Sequence, residues 1–190
     1  MPKSGLNVAL KGLDDLFSSE ETRQEEQREQ VQQIPVDELF PFKNHPFKVV
    51  DDALMQETVD SIMQFGVLNP TIIRPDPGGG YEMVAGHRRL HASGLAGKDT
   101  LPAIVRNLTD DEAVILLVDT NLQRENILPS ERAKAYQMKM EAIKRQGERV
   151  DLTSRQVGEN YSVSKVAEDL GESERQVQRF IRLNQLEQTL

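Results

Sequence analysis

The sequence contains no cysteine in 190 residues. That excludes disulfides, thiolate metal sites and cysteine nucleophiles, and it fits a reducing cytoplasm. No apolar run is long enough to span a bilayer. The N-terminus lacks the uninterrupted apolar stretch of a secretory signal. A uniform basic coat is also missing: 31 acidic residues outnumber 23 basic ones, for a net charge of -8. Any grip on nucleic acid must therefore come from a local basic face. There is no internal repeat. No carboxylates cluster at phosphodiester-cleaving spacing, which argues against a nuclease. Asp110, Asp111 and Glu112 read as helix capping instead. What is present is 37% apolar and 28% charged residues. That suffices for one ordinary domain or two small ones with a modest core.

The pattern along the chain predicts an α+β organisation. Residues 1–30 hold an apolar cluster at Leu13, Leu16 and Phe17, then a polar stretch from Glu20 to Gln30 with almost nothing to bury. They read as a flexible segment. Residues 31–125 read as a small mixed α/β domain. Ile34-Pro35-Val36 predicts a short strand, and Leu39 to Pro46 a loop with aromatic anchors. Met55, Val59, Ile62 and Met63 give one helical face closed by Gly66. Thr71–Arg74 and Tyr81–Ala85 predict two strands around the turn Asp76–Gly80. A helix follows from about His87 to Ala96, then a strand from Leu101 to Val105. Thr109 with Glu112 forms a capping box that opens another helix. Residues 126–190 read as all-helical. Pro129 suits a first helical turn, and Ala133, Tyr136, Met140 and Ile143 give its apolar face, with Gly147 as its end.

The stretch from Ser162 to Phe180 predicts a helix-turn-helix. Two helices meeting steeply need a small residue at contact, which Ala167 supplies. The turn needs positive φ, which Gly171 supplies. Val166, Leu170, Val177 and Phe180 can close the core between the helices, and Ser173 can cap the second one. That second helix displays Glu174, Arg175, Gln176, Gln178, Arg179 and Arg182. Arg and Gln contact guanine and adenine edges bidentately in the major groove. Ser164 and Lys165 can hold phosphates. The plainer alternative is a helical hairpin with a solvated charged face.

A second pattern is a strand, then Gly86, then a helix opening with His87, Arg88 and Arg89. Free backbone N–H groups and the helix dipole favour an anion there. Arginine forks match phosphate oxygens. Taken alone, the paired arginines read more readily as a solvated face. His87 and His91 share a helix face, but His45 is the one further histidine and no metal triad is evident, so zinc is not expected.

Three motifs in order then resemble the ParB family of partition proteins. Gly66-Val67-Leu68-Asn69-Pro70 is similar to that family's G-x-x-Q-P, with asparagine for glutamine. Gly86-His87-Arg88-Arg89-Leu90-His91 is similar to G-E-R-R-x-R. Thr120-Asn121-Leu122-Gln123-Arg124-Glu125 is similar to E-N-x-Q-R-E. Lys11-Gly12-Leu13 and the residues after it look like the segment by which ParB proteins engage a ParA-type ATPase. The resemblance spans roughly Ile34 to Leu186.

It implies a CTP- and Mg²⁺-binding N-terminal domain, a helix-turn-helix that reads a palindromic centromere-like site on double-stranded DNA, and a homodimeric clamp on DNA in the nucleoid. By it Gly66, Asn69, Gly86, His87, Arg88, Arg89 and His91 surround the nucleotide. Asn121 and Thr120 stand near the metal, and Gln123 and Arg124 brace the pocket. Thr120 replaces the glutamate to which the family's metal binding and hydrolysis are ascribed, so binding is expected more firmly than CTP turnover. The chain stops at Leu190, before the C-terminal dimerisation domain with which the family usually continues. Either it is a truncated form, or dimers form through the N-terminal domain. A nucleoid-occlusion or transcriptional regulator of the same fold is the alternative.

Overall fold

The computed structural model describes residues 30–123, 127–150 and 159–187. Five strands form one mixed sheet: β1 (Val31–Pro35), β2 (Leu39–Pro41), β3 (Thr71–Pro75), β4 (Tyr81–Ala85) and β5 (Thr100–Val105), in the order β1-β5-β3-β4-β2. Pairing is antiparallel in β1/β5 and β3/β4 and parallel in β3/β5 and β2/β4. Among the described residues six α-helices accompany it: α1 (Ala53–Phe65), α2 (His87–Leu95), α3 (Asp110–Leu122), α4 (Pro129–Val150), α5 (Glu159–Leu170) and α6 (Glu174–Glu187).

The period-2 alternation of strands builds two cores. Ile73 and Met83 face one side, with Ile34, Leu39, Leu101 and Ala103. Val84, the next residue along β4, faces the other side and joins Phe42, Phe47, Leu117 and Val118. The sheet is thus covered by α3 on one face. Against α2, α1 buries Met55, Val59 and Ile62 around Ala92. A further core joins α4 to α5 and α6 through Tyr136, Ile143, Val163, Val166, Ala167, Val177 and Ile181.

Local signals set several boundaries. The Asp52 carboxylate caps α1 by accepting from the Met55 N–H at 2.8 Å. Both halves of the capping box on α3 are present: Glu112 Oε2 accepts from the Thr109 N–H at 2.8 Å, and Thr109 Oγ1 accepts from the Glu112 N–H. Those bonds to Thr109 hold the Glu112 carboxyl below its usual range. Ser173 Oγ accepts from the Gln176 N–H at the start of α6.

Four expectations needed correction. The first strand begins at Val31, and Val36 enters a 3-10 turn, because β5 supplies partners back to Val31. Leu39–Pro41, read as loop, is a strand recruited by the open edge of β4. Met63 is exposed, since it falls one residue past the Ile62 contact. Gly147 does not end α4, which runs on to Val150.

Candidate functional site

The turn from β4 into α2 depends on Gly86. Its φ of 118° and ψ of 22° lie in the left-handed region that side chains avoid. A Cβ there would also lie 2.5 Å from Thr71 Cγ2 and 3.1 Å from Arg89 Nη2. Gly86→Ala is therefore expected to lower the unfolding free energy by about 1–3 kcal/mol or more. Urea denaturation checks this, and an unchanged midpoint would remove the argument.

The tight turn brings the guanidinium of Arg89 over the start of α2. Its Nη1 donates to the backbone carbonyls of Asn69 and Pro70 at 2.6 and 2.7 Å. These two carbonyls are its acceptors among the described residues, and no carboxylate pairs with it. Burial pulls its pKa below the usual arginine value. A half-buried cation held by neutral dipoles, beside an N-terminal helix dipole, is a site short of negative charge.

Arg88 stands beside it, 3.7 Å from the Asp52 carboxylate. The two arginines line a cleft of about 440 Å³ together with Gly66, Leu68 and Asn69. The cleft's other wall is α1, through Leu54, Glu57, Thr58 and Ser61. The motif readings did not single out this wall. A helix face that is polar at positions 57, 58 and 61 looks like ordinary solvated surface until α2 is placed opposite it.

Other expected site residues lie elsewhere. His87 turns inward: it is buried, its Nε2 accepts from the Phe42 N–H at 3.2 Å, and its ring centroid is 3.9 Å from that of His45. His91 faces outward and meets Asp51 Oδ1 at 2.6 Å. Thr120 donates its hydroxyl to the carbonyls of Leu116 and Leu117 on its own helix. Asn121 is buried. Its Nδ2 donates to the Leu117 carbonyl at 2.7 Å, while its Oδ1 has no hydrogen-bond partner. Gln123 borders a separate cavity with Arg132, Tyr136 and Glu172. Arg124 and the segment Lys11-Gly12-Leu13 lie outside the described residues.

In the helical region, α5 and α6 meet at Gly171, where φ is 65°. Arg175, Gln176, Gln178, Arg179 and Arg182 all lie exposed on α6. Gln176, Arg179 and Arg182 line an open groove with Phe180. The first helix is less available than expected. Ser164 Oγ donates to Glu174 Oε1 at 2.6 Å. The Lys165 ammonium lies 3.3 Å from Asp169 and 3.6 Å from Glu168. A phosphate contact by either would compete with these carboxylates.

The family described as ParB N-terminal domain matches residues 20–122, over half of the chain. The chain belongs to the ParB family. Among its relatives, the chromosome-partitioning protein Spo0J of Thermus thermophilus is 41% identical over 111 residues, which are 58% of this chain and 41% of that protein. The stage 0 sporulation protein J of Bacillus subtilis is 36% identical over 155 residues, 82% of this chain and 51% of that one. The chain thus spans about half the length of the relatives it matches. A solved ParB structure, the C-terminally truncated chromosome-partitioning protein of Caulobacter crescentus complexed to the centromeric parS site, superposes with a TM-score of 0.55. It is 27% identical, and the match covers 80% of this chain and 71% of that one. The mixed α/β fold of the N-terminal region is that of the ParB family. Among the described residues, no helix is long and apolar enough to cross a membrane.

Proposed function

We propose that this chain is a DNA-binding partition protein that takes CTP with Mg²⁺ in the α2 cleft and reads a palindromic DNA site with α6. In this reading it acts as a homodimeric, CTP-gated clamp on the nucleoid, in the cytoplasm, with a ParA-type ATPase as partner. One observation carries it. Arg89 holds a half-buried positive charge at the mouth of α2, with carbonyls rather than carboxylates as its partners. A triphosphate supplies the missing charge, and the free N–H groups at the helix start add donors. The cleft volume of about 440 Å³ falls in the usual range for small-ligand sites. The choice of cytidine rests on the ordered family motifs around Asn69, Gly86 and Asn121.

For Mg²⁺ the family motif points to Asn121 on α3, which is not among the residues lining the cleft. Asn121 Oδ1 is a buried oxygen without a hydrogen-bond partner, and Mg²⁺ is usually held by one or two protein oxygens plus phosphates and water. Bound there, the ion would neutralise triphosphate charge. Thr120 brings no carboxylate, and its hydroxyl is spent on helix carbonyls, so turnover is expected to be slow.

On α6, the exposed Arg175, Gln176, Gln178, Arg179 and Arg182 are the side chains offered to base edges and phosphates. The deciding experiment is calorimetric titration with CTP, ATP, GTP and UTP in Mg²⁺. CTP-selective binding is the expected result. Binding of no nucleotide, with or without cognate DNA, would reduce the reading to a plain DNA-binding protein.

A further inference from the structure

Among the described residues, the most deeply buried basic side chain lies away from the cleft. Lys139, in the middle of α4, has no exposed surface. Its Nζ is 2.6 Å from Asp119 Oδ1 on α3 and 3.0 Å from Asp169 Oδ2 on α5. A fully buried lysine is rare because desolvating an ammonium costs several kcal/mol. Apolar residues of similar volume often replace such a group with no loss of stability. What charges add is direction. Apolar side chains tolerate a shift of one helix against another, whereas a short ion pair does not.

The positions of the two carboxylates give that direction its meaning. Asp119 sits in the last helix of the family-matched region, which ends at residue 122. Asp169 sits in the helix before α6, whose exposed face carries Arg175, Arg179 and Arg182. Lys139 therefore joins the end of one region to the start of the other. Two more polar contacts lie along the same α4 face, spaced by four and three residues. Tyr136 is hydrogen-bonded to Glu172 in the α5–α6 turn, and burial together with that bond pushes its pKa up. Arg132 lies 3.6 Å from Glu172 and over the Phe180 ring. Asn184 of α6 also donates to Gln137 of α4, and Arg145 of α4 meets Asp111 of α3 at 2.7 Å; the packing around these contacts is apolar.

We propose that Lys139 is a positioning residue, a buried charged pin that sets the register of the α5–α6 pair against α3 and so aims the arginines of α6. That those arginines aim at DNA rests on the function proposed above; the pin itself does not.

The test needs neither nucleotide nor DNA. Because the chain has no cysteine, spin labels can be placed without background at Gln64→Cys on α1 and Gln178→Cys on α6, both exposed. Pulsed dipolar spectroscopy should give one narrow distance for the otherwise native chain. Lys139→Met fills the space without the charge. It is expected to keep the melting temperature while the single distance broadens or splits. Asp169→Asn, at a partly exposed carboxylate, should do the same without a cavity. It decides the matter if Lys139→Met fails to fold. A folded variant whose distance stays as narrow as in the native chain would overturn the pin.

Discussion

Arg89→Ala is expected to weaken CTP binding by about 100-fold or more, the equivalent of two charge-assisted hydrogen bonds. Arg89 is the one basic side chain of the cleft whose acceptors are neutral carbonyls, so its charge is not already compensated by a carboxylate. Arg88 shares its charge with Asp52, and the His91 ring is already engaged by Asp51, and their removal should matter less. Arg89→Lys keeps the charge but loses the fork, so roughly a tenfold loss is expected from it. Calorimetry of the two variants gives the ranking. Because Arg89 also holds the carbonyls of Asn69 and Pro70, melting temperatures must be measured beside the affinities. An Arg89→Ala variant that folds and binds CTP unchanged would show that the nucleotide lies elsewhere.

Leu117→Ala is expected to cost about 2–5 kcal/mol of stability, the usual range for a leucine removed from a closed core. Leu117 has no exposed surface and packs with Phe42, Val84 and Val118, where α3 meets the sheet. Its carbonyl also accepts the Asn121 side chain and the Thr120 hydroxyl. The lost packing would lie one helical turn before Asn121, the proposed magnesium ligand. Chemical denaturation should show a lower midpoint with an unchanged slope. Stability within 1 kcal/mol of the native chain, an order-of-magnitude threshold, would mean that the α3–sheet contact repacks freely.

The features legible in the sequence were local ones. The Thr109–Glu112 capping box and the Ser173 cap each depend on atoms within a few residues, so their signal is written in adjacent letters. The same holds for Gly171 between α5 and α6. The apolar faces of α1 and α6 were readable for a related reason, since a helix repeats its buried side every three to four residues. Met63 shows the limit: a periodic position stays exposed when no neighbour comes to cover it.

The parts that were not legible depend on partners far along the chain. His87 and Arg89 lie two residues apart in one motif, yet one ring goes inward to Phe42 and the other side chain opens onto the cleft. Nothing in their spacing distinguishes those fates, because the difference is made by the 42–47 loop and by Asn69 and Pro70. Strand β2 exists because β4 offers an unpaired edge, not because three residues prefer it.

By itself the sequence determined the α+β organisation, the family, the turns that need glycine and the display of arginines on α6, because periodicity, caps and ordered motifs are short-range properties. Only the tertiary structure decided which cation of the Gly86 motif lacks a counter-charge, what forms the far wall of the cleft, and that Lys139 is buried between Asp119 and Asp169. Each of those depends on burial and on contacts between distant segments, and these exist only once the chain has closed on itself.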